Sequence, residues 1–192
     1  MKKTAILSIV FLMIMAMAQS AFAQKQMDTA KYQKFLSKLK VGEWVELEGV
    51  VQPDFTVLLQ EIEVVYGEVE EDDWEINGKI SRVDPEKKNA FMLMLPIHFD
   101  NNVEYEDKFD VIKSFSDIKQ GMIVEIEGSY LQDGTFLANE IGQIEVKKDE
   151  ERNEIEWTGK IQEIDIKNLT ITVLGHTMIF NAETKLKTVM FD

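Results

Sequence analysis

The sequence predicts a mainly β protein built as two small OB-like barrels. A unit of about 80 residues occurs twice. Inside each unit apolar and charged residues alternate, and single glycines stand at the ends of the alternating runs. One barrel is expected to be continuous in sequence, and the other to be closed by half units from the two ends of the mature chain.

The first 23 residues read as a cleavable secretory signal peptide. Lys2 and Lys3 form a positive start, residues 5–18 are apolar apart from Ser8, and Ala21-Phe22-Ala23 is a small-x-small cleavage site. The apolar run is about fourteen residues, short of the roughly 20 that span a bilayer. It is therefore expected to be removed between Ala23 and Gln24 rather than kept as an anchor, leaving no membrane insertion. No cysteine follows it to carry a lipid.

Residues 28–39 are predicted as a short N-terminal helix. Tyr32, Phe35, Leu36 and Leu39 fall at i, i+3, i+4 and i+7, with Asp28 or Thr29 as N-cap. The run Val45-Glu46-Leu47-Glu48-Gly49 then alternates with period two, as Val124-Glu125-Ile126-Glu127-Gly128 does later, so each is a strand with one buried face. Returning strands are expected at 58–64 and 137–146. Asp133-Gly134-Thr135 is a hairpin turn in which glycine supplies the positive φ. Its counterpart Asp54-Phe55-Thr56 has no glycine, so that turn is expected to differ. Further strands are expected at 75–84 and 156–165, 89–97 and 169–173, and, shorter, near 103–105 and 177–180. A second helix is expected at 110–118.

The repeat is read by sliding the chain by 79 positions. Twelve of the twenty-six residues in 37–62 are then identical to those in 116–141, without a gap. Gly78-Lys79-Ile80 also matches Gly159-Lys160-Ile161. From 74 to 146 the order is three strands, a short helix and two strands, which is that of an OB barrel. The chain before it supplies helix, strand, strand, and the chain after it three strands. The predicted organisation is a half barrel at 24–66, a continuous barrel at 67–147, and a C-terminal half barrel at 148–192 that pairs with 24–66. Exchange of the ends between molecules would give a swapped dimer instead.

The run Trp74-Glu75-Ile76-Asn77-Gly78-Lys79-Ile80, with Ile118-Lys119-Gln120-Gly121, Val124-Glu125-Ile126-Glu127-Gly128 and Asp133-Gly134-Thr135-Phe136-Leu137-Ala138, resembles a bacterial family of exported small β-barrel domains of unknown function. Such domains often occur in tandem. The likeness covers 73–147 in full and 39–66 and 155–188 as half units. More faintly, the chain resembles periplasmic bacterial OB-fold proteins. Neither resemblance implies a catalytic residue.

The chain carries 21 basic and 35 acidic residues, a net charge of −14, which becomes −16 once Lys2 and Lys3 are removed. That balance repels phosphate backbones and anionic membranes, so no nucleic acid is expected as a partner. It favours cations or basic partners. With no cysteine, neither disulfides nor thiolate metal sites are open to it.

No motif dictates a chemistry. His98 and His176 are the only histidines and stand in no HxH or HExxH pattern, so turn positions explain them as well as metal ligation does. Acids at 68–73 suit calcium, yet lack the EF-hand spacing and also read as a solvated linker. Gly128-Ser129-Tyr130 lacks the context of a nucleophile elbow. Trp74 and Trp157 precede glycines at even spacing; they are either core plugs or a stacking platform for a sugar or peptide. OB barrels bind on the face of strands two and three and at two loops. By that analogy Phe91, Leu93, Lys87, Lys88 and Asp133 are weak ligand-binding candidates. The expected function is that of a non-enzymatic binding or interaction module of the bacterial envelope, periplasmic or, alternatively, secreted, with no cofactor and no metal and an envelope protein or glycan as partner. The alternatives are a calcium-binding structural protein and a hydrolase with an unrecognised carboxylate pair.

Overall fold

Helix α1 (Thr29–Leu36) starts at Asp28, whose carboxylate accepts from the Lys31 amide (3.1 Å) and so satisfies one of the donors a helix start leaves open. The computed structural model describes residues 28–66, 74–106, 111–144 and 153–188. Residues 1–23, expected to be a signal peptide, and the acidic run 68–73 lie outside the described residues. The helix buries Tyr32 and Leu36, and the Tyr32 hydroxyl donates to the Thr184 carbonyl (3.0 Å), tying the first element to the C-terminal segment.

The remaining elements are strands: β1 (Trp44–Val51), β2 (Val57–Val64), β3 (Trp74–Asp84), β4 (Asn89–Met92), β5 (Leu95–His98), β6 (Glu104–Tyr105), β7 (Ile123–Tyr130), β8 (Phe136–Gln143), β9 (Glu154–Asp165), β10 (Thr170–Val173), β11 (His176–Ile179) and β12 (Lys185–Thr188). Alternation decides their faces. In β1, Val45 and Leu47 are buried while Glu46 and Glu48 are exposed, and β7 repeats this with Val124, Ile126, Glu125 and Glu127.

Strands β3, β4, β5, β8 and β7 form a closed five-stranded barrel. All neighbours are antiparallel except β5 and β8, which run parallel, and β7 returns to β3. The terminal segments follow the same scheme in one chain. β9 pairs with β10, β10 with β11, β11 in parallel with β2, β2 with β1, and β1 with β9. The central barrel and this terminal circuit are joined by β3 and β9, where Glu75 faces Thr158, Ile76 faces Trp157 and Asn77 faces Glu156. Residues 75 and 156, like 77 and 158, are 81 positions apart, so the junction has two-fold symmetry about the Ile76–Trp157 pair. Each half ends in a short parallel edge strand, β6 on β8 and β12 on β2.

Gly49 and Gly128 sit at matching irregularities, where the register slips by one residue. A Cβ at Gly128 would overlap the Leu137 carbonyl oxygen, and one at Gly49 the Val57 side chain, so the crossing needs glycine.

Several expectations are corrected. Where an α-helix is expected at 110–118, the described residues 111–118 form none; only a 3-10 turn at Phe115–Asp117 appears among them. The Asp117 carboxylate accepts from the Lys113 amide (3.1 Å) and the Ser114 hydroxyl (2.9 Å), closing a tight turn in place of a helix. The expected strand at 89–97 is two strands. Leu93 takes a left-handed conformation (φ 55°) and turns the chain with Met94, so β5 is the third barrel strand and 104–105 an added edge. The short strand expected near 177–180 is present as β11, and a further strand, β12, follows it. The turn at Phe55 does not differ from its counterpart. Phe55 itself adopts a positive φ (66°, against 85° at Gly134). Gln52 donates its amide to Thr56 as Leu131 does to Thr135 (both 2.8 Å), and Asp54, like Asp133, accepts from the amide two residues on. These bonds hold a phenylalanine in the conformation glycine adopts freely.

Candidate functional site: an acidic sheet face

The strand pairings align the outward residues of eight neighbouring strands. From one edge to the other, the first row reads Lys187, Glu63, Glu46, Thr158, Glu75, Glu127, Glu140 and Glu104. The second reads Lys185, Glu61, Glu48, Glu156, Asn77, Glu125 and Gly142. Between them lies the buried row Leu186, Ile62, Leu47, Trp157, Ile76, Ile126, Ile141 and Tyr105, of which only the end residues Leu186 and Tyr105 are half-buried. The alternation that builds the core therefore also builds a carboxylate face across both halves of the molecule. One position further along the same face, Lys79 and Lys160 bound it, the latter with its ammonium over the Trp44 ring (5.1 Å).

Neighbouring strands are about 4.8 Å apart, so facing carboxylates repel. Burial first, and then neighbouring carboxylates, pushes Glu46, Glu75, Glu140 and Glu156 above the usual carboxylate range. Glu61 is the opposite case. It is 8% exposed, and Lys187 and Lys185 of β12 reach its two oxygens, Lys185 at 3.4 Å. The hydrogen bond from Lys187 holds this carboxyl low despite burial.

The residues singled out from sequence are scattered around this face rather than gathered on it. Trp74 (4% exposed) and Trp157 (fully buried) are corrected as a stacking platform, because their ring faces are covered by protein. Trp74 packs on Gly159 and lies 4.7 Å from Trp44 and 5.5 Å from Tyr130 between ring centroids. Trp157 packs against the edge of His176 at 5.2 Å. Burial pushes the His176 imidazole below its ordinary pKa, and its Nδ1 donates to the Leu174 carbonyl (2.9 Å). His98 bonds to Asn89 (2.8 Å), and no cluster of metal-ligating side chains exists among the described residues. Lys88 donates to Asn101 (2.8 Å), Lys87 is exposed in the same turn, and Phe91 is covered by the Arg82 guanidinium at 3.8 Å. Asp133 is spent on its own turn. Leu93 lines a cavity of about 480 Å³ with Phe55, Gln52, Lys79, Gln120 and Glu154, none of which was singled out as a ligand contact. A second groove, of about 390 Å³, brings Phe55 and Met94 together with Tyr130, His176, Gly134 and Gly175.

Sequence reading missed the acidic face, although Glu-x-Glu recurs at 46/48, 61/63 and 125/127. Each pair is legible as the outer side of a strand, but their alignment depends on strand order.

Residues 77–142, most of the central barrel, match the model of a family described as a domain of unknown function (DUF5666). No curated protein and no solved structure matches the chain.

Proposed function

We propose that the chain is an exported, non-enzymatic interaction module of the bacterial envelope. In this reading a duplicated unit of about 80 residues gives two OB-like barrels, and their shared acidic face is the contact surface for a cationic protein partner. The observation that carries it is the double row of carboxylates on both sides of the β3–β9 junction, each row broken there by a single neutral residue, Thr158 in one and Asn77 in the other. Folding does not call for that row: exposed strand positions accept any polar residue, and like charges directly opposite one another cost stability. A surface kept against that cost is better explained by a partner than by solubility.

The test is thermal unfolding of 24–192 with a lysine-rich peptide, calcium, magnesium and a panel of envelope glycans. A ligand of the native state raises the midpoint by mass action, about 2.7 kcal/mol at a hundredfold excess over its Kd. A shift with the peptide that fades with salt is the expected result. A shift with glycans alone would move the site to the loop grooves, and a shift with calcium alone would replace the reading with a structural cation protein.

A further inference from the structure

The two halves of the acidic face are finished differently at their outer edges. On the terminal side β12 runs parallel to β2, with Lys185 opposite Glu61 and Lys187 opposite Glu63. On the central side β6 runs parallel to β8 in the same way, with Glu104 opposite Glu140 and Tyr105 opposite Ile141, and the Glu106 amide donates to the Ile141 carbonyl (3.1 Å). Residues 104, 105 and 106 stand 81 positions before 185, 186 and 187, the interval that relates β3 to β9. The edge strand is thus Lys-Leu-Lys in one half and Glu-Tyr-Glu in the other, on the same backbone scheme.

The terminal half shows what chemistry completes this position. A strand with lysines on alternate residues covers Glu61 so well that its carboxylate is almost buried, and satisfies both oxygens. In the central half the matching carboxylate, Glu140, meets Glu104 and Glu106, with Glu127 beside it, and burial together with these neighbours makes its ionisation harder. No lysine or arginine among the described residues pairs with Glu104, Glu106 or Glu140. Among the described residues β6 has β8 as its only strand neighbour, and none of them pairs with its other edge. Such an edge offers backbone donors and acceptors to an added strand.

We infer that the free edge of β6 accepts an extended segment of a partner protein with lysine or arginine at alternate positions, which adds to the sheet as a further strand and sets its cations beside Glu104 and Glu106. The pose is that of β12 beyond β2, one strand further out. The backbone supplies the pairing and the alternation supplies the register, because a one-residue slip would turn every cation to the wrong face. Like any rim charge pair, the contact weakens as salt rises. This inference rests on the proposed cationic partner and specifies where and how it binds.

The experiment uses the full mature chain and a short synthetic peptide alternating lysine and valine. A second peptide of the same composition has its lysines in one block. Binding is followed by titration, and contact by amide hydrogen exchange at 103–106. The expected result is that the alternating peptide binds and slows exchange at β6, and that the blocked peptide binds more weakly. The double variant Glu104→Lys, Glu106→Lys reproduces the charges of the other half and should keep the fold. It should bind the alternating peptide on the order of tenfold more weakly, as expected when exposed ion pairs are replaced by repulsion. Equal binding by wild type and variant, or of both peptides, overturns the edge site but leaves the acidic face as a cation surface. If neither peptide binds, the proposed partner class fails with it.

Discussion

The central barrel and the terminal circuit pair their strands in the same order, yet one is contiguous in sequence and the other is closed by the two ends of the described chain. In the central barrel every pairing lies within 74–144. In the terminal circuit β1 and β2 depend on β9, β11 and β12, more than a hundred residues away. A circuit of paired strands therefore does not need an unbroken chain; it needs partners whose apolar rows meet. Loop closure makes the difference kinetic more than thermodynamic, because its entropic cost grows only slowly with length.

The largest effect follows from cutting the chain before Glu154. β1 would lose its pairing with β9, β2 its pairing with β11 and β12, and Tyr32 its bond to Thr184. Amide exchange in 44–64 is then expected to become fast and Trp44 to become solvent-exposed. The central barrel should keep its protection, weakened where Ile155 packs against Gly78 and Gly159 against Trp74. Slow exchange in β1 and β2 after the cut would show that they find support elsewhere.

Next in size are the two bulge glycines. Gly128→Ala and Gly49→Ala each force a methyl into the crossing strand, into backbone at Gly128 and chiefly into the Val57 side chain at Gly49. Each should cost on the order of 3 kcal/mol, with Gly128 the worse because a carbonyl cannot rotate away. Chemical denaturation of both variants would separate the halves if they unfold independently. Equal losses in a single transition would show that the β3–β9 junction makes them one cooperative unit.

The same substitution at matching carboxylates should act with opposite sign. Glu140 is held above its ordinary pKa, so its charge opposes folding at neutral pH, whereas Glu61 is held below it and its charge favours folding. Glu140→Gln is expected to raise the Tm by a few degrees at pH 7, and Glu61→Gln to lower it. Acidification of the wild type adds the two behaviours. Glu46, Glu75, Glu140 and Glu156, all raised, stabilise the fold as the pH falls from neutrality toward their ordinary value near 4.5. The Glu61 contribution is present above that value and is lost as the pH falls through its lowered one. The Tm should therefore peak on the acid side of neutrality. A monotonic fall from pH 7 downward would mean that the face is neutralised by groups other than its own protons.

Much of the fold was legible because it depends on local rules. The alternation of Val45 to Glu48, the N-cap at Asp28 and the turn at Gly134 follow from neighbours in sequence. What escaped depends on three-dimensional neighbours or on a conformation its residue type disfavours. The Leu93 turn split a strand that hydropathy joins, because leucine rarely takes a left-handed backbone. The burial of Trp74 comes from Gly159 across the junction, which no spacing near Trp74 reveals. The acidic face required knowing that β9 sits beside both β1 and β3.

The smallest expected effect tests how the two matching turns share one geometry. Phe55 and Gly134 occupy the same left-handed place, and the Phe55 ring is about half exposed. The left-handed conformation costs a residue with a Cβ about 1–2 kcal/mol, while glycine gives back part of that through its freer unfolded state. Phe55→Gly should therefore stabilise the protein by no more than about 1 kcal/mol. Gly134→Ala should destabilise by a similar amount, since its Cβ would meet nothing closer than the Tyr130 hydroxyl at 3.8 Å and the cost is that of the backbone alone. If Phe55→Gly instead lowers the Tm, the ring's contacts along the two grooves outweigh the backbone strain. The turn would then be held by its side chain in one half and by its glycine in the other.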